Sequence, residues 1–158
     1  MKFYYTDGAC KGNPGPGGFG VYCPDTDYTY SEYCDNTTNN REEMKAIIHV
    51  FEKEKESTEN IIILSDSAYC VNMLDSWIYN WAKNGWINSK KKEVENIDLV
   101  KTLYKYISTE FFPCQVVKIA GHSGCIGNEI ADALATGDMK KLNKYKEIAD
   151  ERSNYSCS

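Results

Sequence analysis

Long apolar runs are absent from this sequence: none exceeds the four residues of Ile61–Leu64, far short of the roughly 20 that a membrane-crossing helix needs. The chain opens without a charged segment leading into an apolar one, so no secretory leader is expected. Paired cysteines are missing as well. Seven cysteines occur, at positions 10, 23, 34, 70, 114, 125 and 157, an odd number with no C-x2-C or C-x4-C spacing. That argues against a zinc finger or a disulfide framework and favours reduced thiols in a cytoplasmic compartment. No internal repeat and no linker divides the chain. Its 158 residues, 42% hydrophobic and 26% charged, suit one globular domain with a real core. A net charge of −5 offers no general attraction to nucleic acid.

What is present alternates between strand and helix signals. Lys2–Asp7, Gly18–Cys23 and Tyr28–Cys34 are short, aromatic-rich and separated by Gly-Pro or Pro-Asp punctuation, which predicts an antiparallel meander. Met44, Ile47, Ile48 and Phe51 then fall at i, i+3, i+4, i+7, the stripe of an amphipathic helix. His49 lies off that stripe and is expected to face solvent. "NIIILSD" (60–66) reads as a buried strand, 67–109 as mostly helical, "CQVVKIAG" (114–121) as a strand and "GNEIADALATGD" (127–138) as a helix closing near Gly137. The order βββαβααβα predicts an α/β fold. Its five-stranded mixed sheet, three antiparallel strands then two parallel, is flanked by helices on both faces. Residues 1–138 form the expected domain. The lysine-rich stretch 139–158 carries no strong pattern and is expected to be a partly helical or flexible extension.

The carboxylates follow a pattern. Asp7 ends the first strand on the face of Phe3 and Tyr5, and Asp66 ends the apolar strand on the face of Ile62 and Leu64. Glu43, four residues before Ile47, borders the helical stripe and points toward the sheet. Asp132 lies on the last helix, three residues after Glu129 and anchored by Ile130 and Leu134. Sites in open α/β sheets gather beyond the carboxyl ends of the strands, so four acids from four elements can converge there. Clustered carboxylates repel one another unless a divalent cation neutralises them. An all-oxygen set, without cysteine or paired histidine, suits Mg²⁺ or Mn²⁺ rather than zinc.

The words around these acids are more specific. "TDGACKGNPGPGG" around Asp7, "TTNNREEMKAI" around Glu43, "SDSAYCV" around Asp66 and "GHSGCIGNEIADALA" around His122 and Asp132 resemble, in order, the type I ribonuclease H family, with its ribonuclease H-like fold. The resemblance covers roughly residues 2–138. It implies an endonuclease that hydrolyses the RNA strand of an RNA–DNA hybrid, leaving 5′-phosphate and 3′-hydroxyl ends. It also implies two metal ions, Mg²⁺ with Mn²⁺ as a substitute, held by Asp7, Glu43, Asp66 and Asp132. Two such ions can activate a water and stabilise the leaving 3′ oxygen across one phosphate. By the same resemblance His122 is the mobile-loop histidine, serving proton transfer or product release, and Glu129 is an acid associated with the metal site.

The segment 5–22 holds six of the eleven glycines and two of the four prolines. Without side chains there, a bulky hybrid can approach Asp7 closely. Backbone groups of Cys10, Gly12, Asn13, Pro14 and Gly15, with the Asn13 side chain, are then placed to meet ribose 2′-hydroxyls. In the resembled family Asn13, Asn39 and Asn40 correspond to minor-groove contacts and Thr38 to a DNA-strand phosphate contact. Ala68 stands where many relatives carry a longer side chain, so one minor-groove contact is expected to be missing. From Ser76 to Lys92 there is no acid and four lysines, Lys83, Lys90, Lys91 and Lys92, so this stretch is +4 while the rest of the chain is −9. All three tryptophans lie inside it, with Trp81 and Trp86 expected to pack and Trp77 to lie nearer the DNA strand. The expected protein is a monomeric enzyme whose partner is an RNA–DNA hybrid, with no membrane association. The alternatives are another nuclease of the same fold, which would lack the GNPGPGG and TTNNR blocks, and a non-catalytic hybrid-binding module, which would have lost an acid.

Overall fold

Turn and cap chemistry place the element boundaries. Strands β1 (Lys2–Cys10) and β2 (Gly15–Cys23) form a hairpin and β3 (Tyr28–Thr37) returns beside it. Helix α1 (Asn39–Glu54) begins where the Thr38 hydroxyl accepts the Arg41 N–H at 3.3 Å. Strand β4 (Ile61–Ser65) leads into α2 (Ala68–Asn72), capped by the Ser67 hydroxyl accepting the Cys70 N–H at 3.1 Å. A π-turn at Met73–Trp77 carries α2 into α3 (Ile78–Lys83). Helix α4 (Ile97–Ile107), β5 (Cys114–Lys118) and α5 (Ile126–Thr136) follow. Gly137, left-handed at φ 73°, ends α5 and starts the turn into α6 (Met139–Ser156). The computed structural model describes residues 1–156. Residues 157 and 158 of the expected partly helical or flexible extension lie outside the described residues.

The sheet runs β3-β2-β1-β4-β5, antiparallel across the first three strands and parallel from β1 to β4 to β5. The expected five-stranded mixed α/β sheet is therefore what forms. Its first two strands reach further into the glycine-rich segment than the apolar pattern suggested. On one face α1 lays Met44, Ile47, Val50 and Phe51 against Tyr4, Val21, Ile61 and Ile63, all essentially without exposure. On the other, α5 contributes Ile130 and Leu134 against Tyr5 and Tyr22, and α6 adds Leu142, Tyr145 and Ala149. The stretch 139–156 is thus a docked helix. His49 also departs from expectation. It is half-buried, its ring stacked 4.0 Å from Tyr30, and its Nε2 shares a 2.8 Å hydrogen bond with the Tyr28 hydroxyl. Burial on this aromatic strand holds its pKa below the usual histidine value.

The glycines have a packing reason that the sequence reading assigned to substrate. A Cβ on Gly8 would sit 2.4 Å from the Glu43 backbone nitrogen, and one on Gly20 would sit 2.3 Å from the Ala131 carbonyl oxygen. Gly17 and Gly18 are equally crowded by protein atoms. Of the six, only Gly12 and Gly15 belong to the hairpin tip. Gly8, Gly18 and Gly20 let α1 and α5 press onto the β1–β2 backbone from opposite sides, while Gly17 lies against the Ala9 carbonyl of β1 and the Thr37 side chain of β3.

Gly20→Ala is therefore expected to destabilise the protein by roughly 1–3 kcal/mol, the usual cost of overpacking, because backbone atoms of α5 must move. Urea unfolding of the variant beside wild type measures this. A stability within experimental error of wild type would show that α5 is not held at this distance.

Candidate active site

Parallel pairing places the first two acids together. The last register pair between β1 and β4 is Thr6↔Ser65, so Asp7 and Asp66 leave the sheet side by side at its carboxyl edge. Glu43 arrives from α1, whose backbone rests on Gly8. Asp7, Glu43 and Asp66 each offer an oxygen within 4.8 Å of the others. Asp7 and Glu43 are buried, and Glu43 Oε2 has no hydrogen-bond partner. Burial, then the nearby Glu43 and Asp66, push the Asp7 carboxyl far above the usual carboxylate range. Burial likewise raises Glu43, to about 7, against an opposing hydrogen bond from Asp7. Such a set of hard oxygen donors with an orphaned buried oxygen fits a divalent cation and fits no ligand of like charge.

Asp132 stands on α5 at the edge of this trio, near enough to Asp7 for a hydrogen bond between their side chains. It is engaged elsewhere as well. Lys141 Nζ lies 2.6 Å from Asp132 Oδ2 and 2.7 Å from Glu129 Oε2. Burial alone would raise the Asp132 pKa, but the hydrogen bonds with Lys141 and Asp7 and the nearby Lys141 and His122 together outweigh it and the net shift is downward. Lys141 is itself raised, its two carboxylate partners overcoming burial. Lys141 lies in the lysine-rich stretch 139–158, whose pattern is weak in sequence. The signal was the spacing of Leu142, Tyr145 and Ala149, one apolar helical face that carries the lysine in with it. His122 rides the exposed turn between β5 and α5 at φ 52°, flanked by Gly121 and Gly124, with Nδ1 4.0 Å from Glu129 Oε1.

The remaining predicted residues lie on the hairpin tip, at the start of α1 and in the stretch Trp77–Lys92. The hairpin closes by the Lys11 N–H donating to the Pro16 carbonyl, and the Asn13 side chain accepts the Asn39 N–H at 2.9 Å. Gly12, Pro14 and Gly15 form the tip between. The Cys10 thiol lies toward the Thr37 and Gly15 carbonyls at 3.2 and 3.4 Å. Asn13, Thr38, Asn39 and Asn40 line a hollow of 480 Å³ together with Glu95 and Asn96. Asn96 was not foreseen. Arg41 holds it there, donating to Asn96 Oδ1 at 3.3 Å while pairing with Asp98 at 2.9 Å. Beyond it, Trp77 is 38% exposed whereas Trp81 and Trp86 pack against the core. Lys83, Lys90, Lys91 and Lys92 are exposed, and none pairs with an acid among the described residues. Asn88 Oδ1 organises their loop by accepting the Lys90 and Lys92 N–H groups at 2.9 and 3.1 Å.

Comparison with known proteins agrees with this geometry. The RNase H family model matches residues 1–140. A ribonuclease H of Syntrophomonas wolfei subsp. wolfei is 42% identical over 146 residues, covering 87% of this chain and 95% of that protein. One from Orientia tsutsugamushi is 45% identical over 148 residues, covering 90% and 86%. Among solved structures, LC9-RNase H1, a type 1 RNase H with the type 2 active-site motif, superposes with a TM-score of 0.69 at 26% identity, over 85% of this chain and 69% of that one. LC11-RNase H1, solved in complex with an RNA/DNA hybrid, gives 0.61 at 26% identity, over 85% and 94%. The foamy viral protease-reverse transcriptase, in complex with dsDNA, shares the fold with a TM-score of 0.73 at 22% identity, over 85% and 90%. With its sheet, its acidic trio and its relatives in agreement, the chain belongs to the ribonuclease H family, enzymes that hydrolyse the RNA strand of an RNA–DNA hybrid.

Proposed function

We propose that Asp7, Glu43, Asp66 and Asp132 hold two Mg²⁺ ions, replaceable by Mn²⁺, and that the RNA strand is cut beside them to leave 5′-phosphate and 3′-hydroxyl ends. The observation that carries this reading is the trio of oxygens within 4.8 Å, two of its residues buried and one oxygen unpartnered. When bound, the ions supply a Lewis-acidic clamp on the attacking water and the leaving oxygen. Asp7, on a strand end within reach of both Glu43 and Asp66, would hold the metal together with them. His122, exposed between glycines and 4.0 Å from Glu129, is placed to move a proton at the water or the departing phosphate without holding the metal. Glu129 assists at the same edge.

Substrate recognition falls to the surface beside the acids. Backbone groups of Cys10, Gly12, Asn13, Pro14 and Gly15, with the side chains of Asn13, Asn39 and Asn40, face the minor groove and its 2′-hydroxyls. Thr38 receives a phosphate of the DNA strand. Trp77, Lys83, Lys90, Lys91 and Lys92 track that strand further along. Residues 1–138 constitute the catalytic domain and 139–158 its extension. The protein acts as a monomer in the cytoplasm, where its free thiols are stable.

Three outcomes test this. With labelled RNA–DNA hybrid, double-stranded RNA and double-stranded DNA, only the RNA strand of the hybrid is expected to be cut, and EDTA to stop it. Equal cleavage of double-stranded DNA would overturn the assignment.

Asp7→Asn and Asp66→Asn are expected to lose nearly all activity, whereas His122→Ala keeps measurable turnover. Because the folded pKa of Asp7 is raised, the unfolded chain releases that proton first, and this group lowers stability as pH rises above its ordinary value of 3.8. In EDTA, Asp7→Asn is thus expected to be more stable than wild type at pH 7, by on the order of 1–3 kcal/mol, with the gap closing toward pH 4. Thermal unfolding at several pH values measures it; a variant less stable at pH 7 than at pH 4, relative to wild type, contradicts the repulsion.

Changing Lys83, Lys90, Lys91 and Lys92 to Ala is expected to raise KM far more than it lowers kcat, since binding is weakened equally in ground and transition states. The slope of log affinity against log salt should fall by roughly 0.7–0.9 for each phosphate that no longer meets a lysine. An unchanged slope would remove this stretch from the substrate face.

A further inference from the structure

Lys141 lies outside the 1–140 span matched by the family model, yet its ammonium reaches the catalytic edge. The route is built by the turn between α5 and α6. Gly137 reverses the chain, Asp138 caps α6 by accepting the Lys141 N–H at 3.0 Å, and Leu142 anchors the first turn in the core beneath α5. The Lys141 side chain, 23% exposed, then runs back to Asp132 Oδ2 at 2.6 Å and Glu129 Oε2 at 2.7 Å. Two of its three N–H donors are therefore engaged by two carboxylates that are themselves largely buried.

The charge around the acids is consequently lopsided. Asp7, Glu43 and Asp66 have no cationic partner among the described residues, and Glu43 Oε2 has no partner of any kind. The Asp132 side already holds a cation of the protein's own. An ammonium and a divalent ion against the same Asp132 oxygen at these distances would repel each other strongly, so the two compete for it.

We infer that Lys141 is a positioning residue that occupies the Asp132–Glu129 side of the site as a built-in counter-cation and is displaced when a divalent ion binds there. The inference rests on the metal-site reading above. It makes the two sides unequal: the Asp7–Glu43–Asp66 side loads first and the Asp132 side loads in competition with the lysine. Before loading, the same lysine keeps Asp132 and Glu129 oriented and partly neutralised, so α5 holds its place beside β1.

Mn²⁺ titration by calorimetry, on the full chain without nucleic acid, tests the competition. Wild type is expected to show a tighter and a weaker binding event. In Lys141→Met, which keeps the length and loses the charge, the weaker event should tighten about tenfold, a modest figure for removing a like charge within a few ångströms. Lys141→Arg should keep the wild-type pattern. The Tm of Lys141→Met should fall below wild type in EDTA and recover at saturating Mn²⁺; a deficit of the same size in both would mark a merely structural lysine and overturn the inference. So would an unchanged or weakened second event. Should Lys141→Met fail to fold, amine labelling of wild type read by mass spectrometry still decides: the acetylation rate at Lys141 must rise several-fold on Mn²⁺ saturation, and a constant rate overturns displacement. None of these readouts uses cleavage. A wild-type chain that fails to cut hybrid while Lys141→Met tightens the second event would sink the proposed function and leave this inference standing.

Discussion

The acidic edge of the sheet depends on two helices lying against the same pair of strands at backbone distance. α1 presses on β1 at Gly8, and α5 presses on β2 at Gly20, from opposite faces. Asp7 sits between these contacts, one residue from Gly8 on its own strand and paired with Gly20 across the hairpin. Glu43 and Asp132 reach it only because no side chain stands in the way. An alkyl group at either glycine would separate the acids of the proposed metal site. The tightness of the packing and the closeness of the charges are one constraint.

That constraint creates an electrostatic strain that the protein relieves unevenly. Three carboxylates within reach of one another resist simultaneous ionisation, and burial first, then this proximity, raises the pKa values of Asp7 and Glu43. Asp132 goes the other way because α6 brings a lysine to it. One site thus contains acids poised for opposite protonation behaviour, according to whether a protein cation is already in place.

The order of strands and helices was legible because each element carries its own period: aromatic alternation in β1 to β3, a 3–4 stripe in α1, a short apolar run in β4. The acids were legible as a set because they fall at strand ends and helix edges. Less legible was whatever depended on a partner distant in sequence. His49 looked exposed by its own helix and is half-buried because Tyr28 and Tyr30 of β3 lie beneath it. Asn96 borders the hollow beside Asn13 and Thr38, and its side chain meets Arg41, 55 residues earlier. In the glycine-rich segment three of the six glycines, Gly8, Gly18 and Gly20, are seats for helices, since a sequence shows a missing side chain but not what fills the space. Residues 139–156 looked patternless because three apolar positions among many lysines make a weak stripe, and that stripe matters only once α5 offers a surface to dock on.

The hydrogen bond from the Asn39 N–H to the Asn13 side chain has a mechanical meaning. Asn39 opens α1 and Glu43 follows it on the same helix by four residues, about 6 Å of axial rise. The hairpin tip is thereby clamped to the rod that carries a carboxylate of the catalytic edge. Tip and carboxylate share one lever, so their spacing is that of a helix, about the stiffest ruler a polypeptide can make, and does not vary as it would between two independently moving loops.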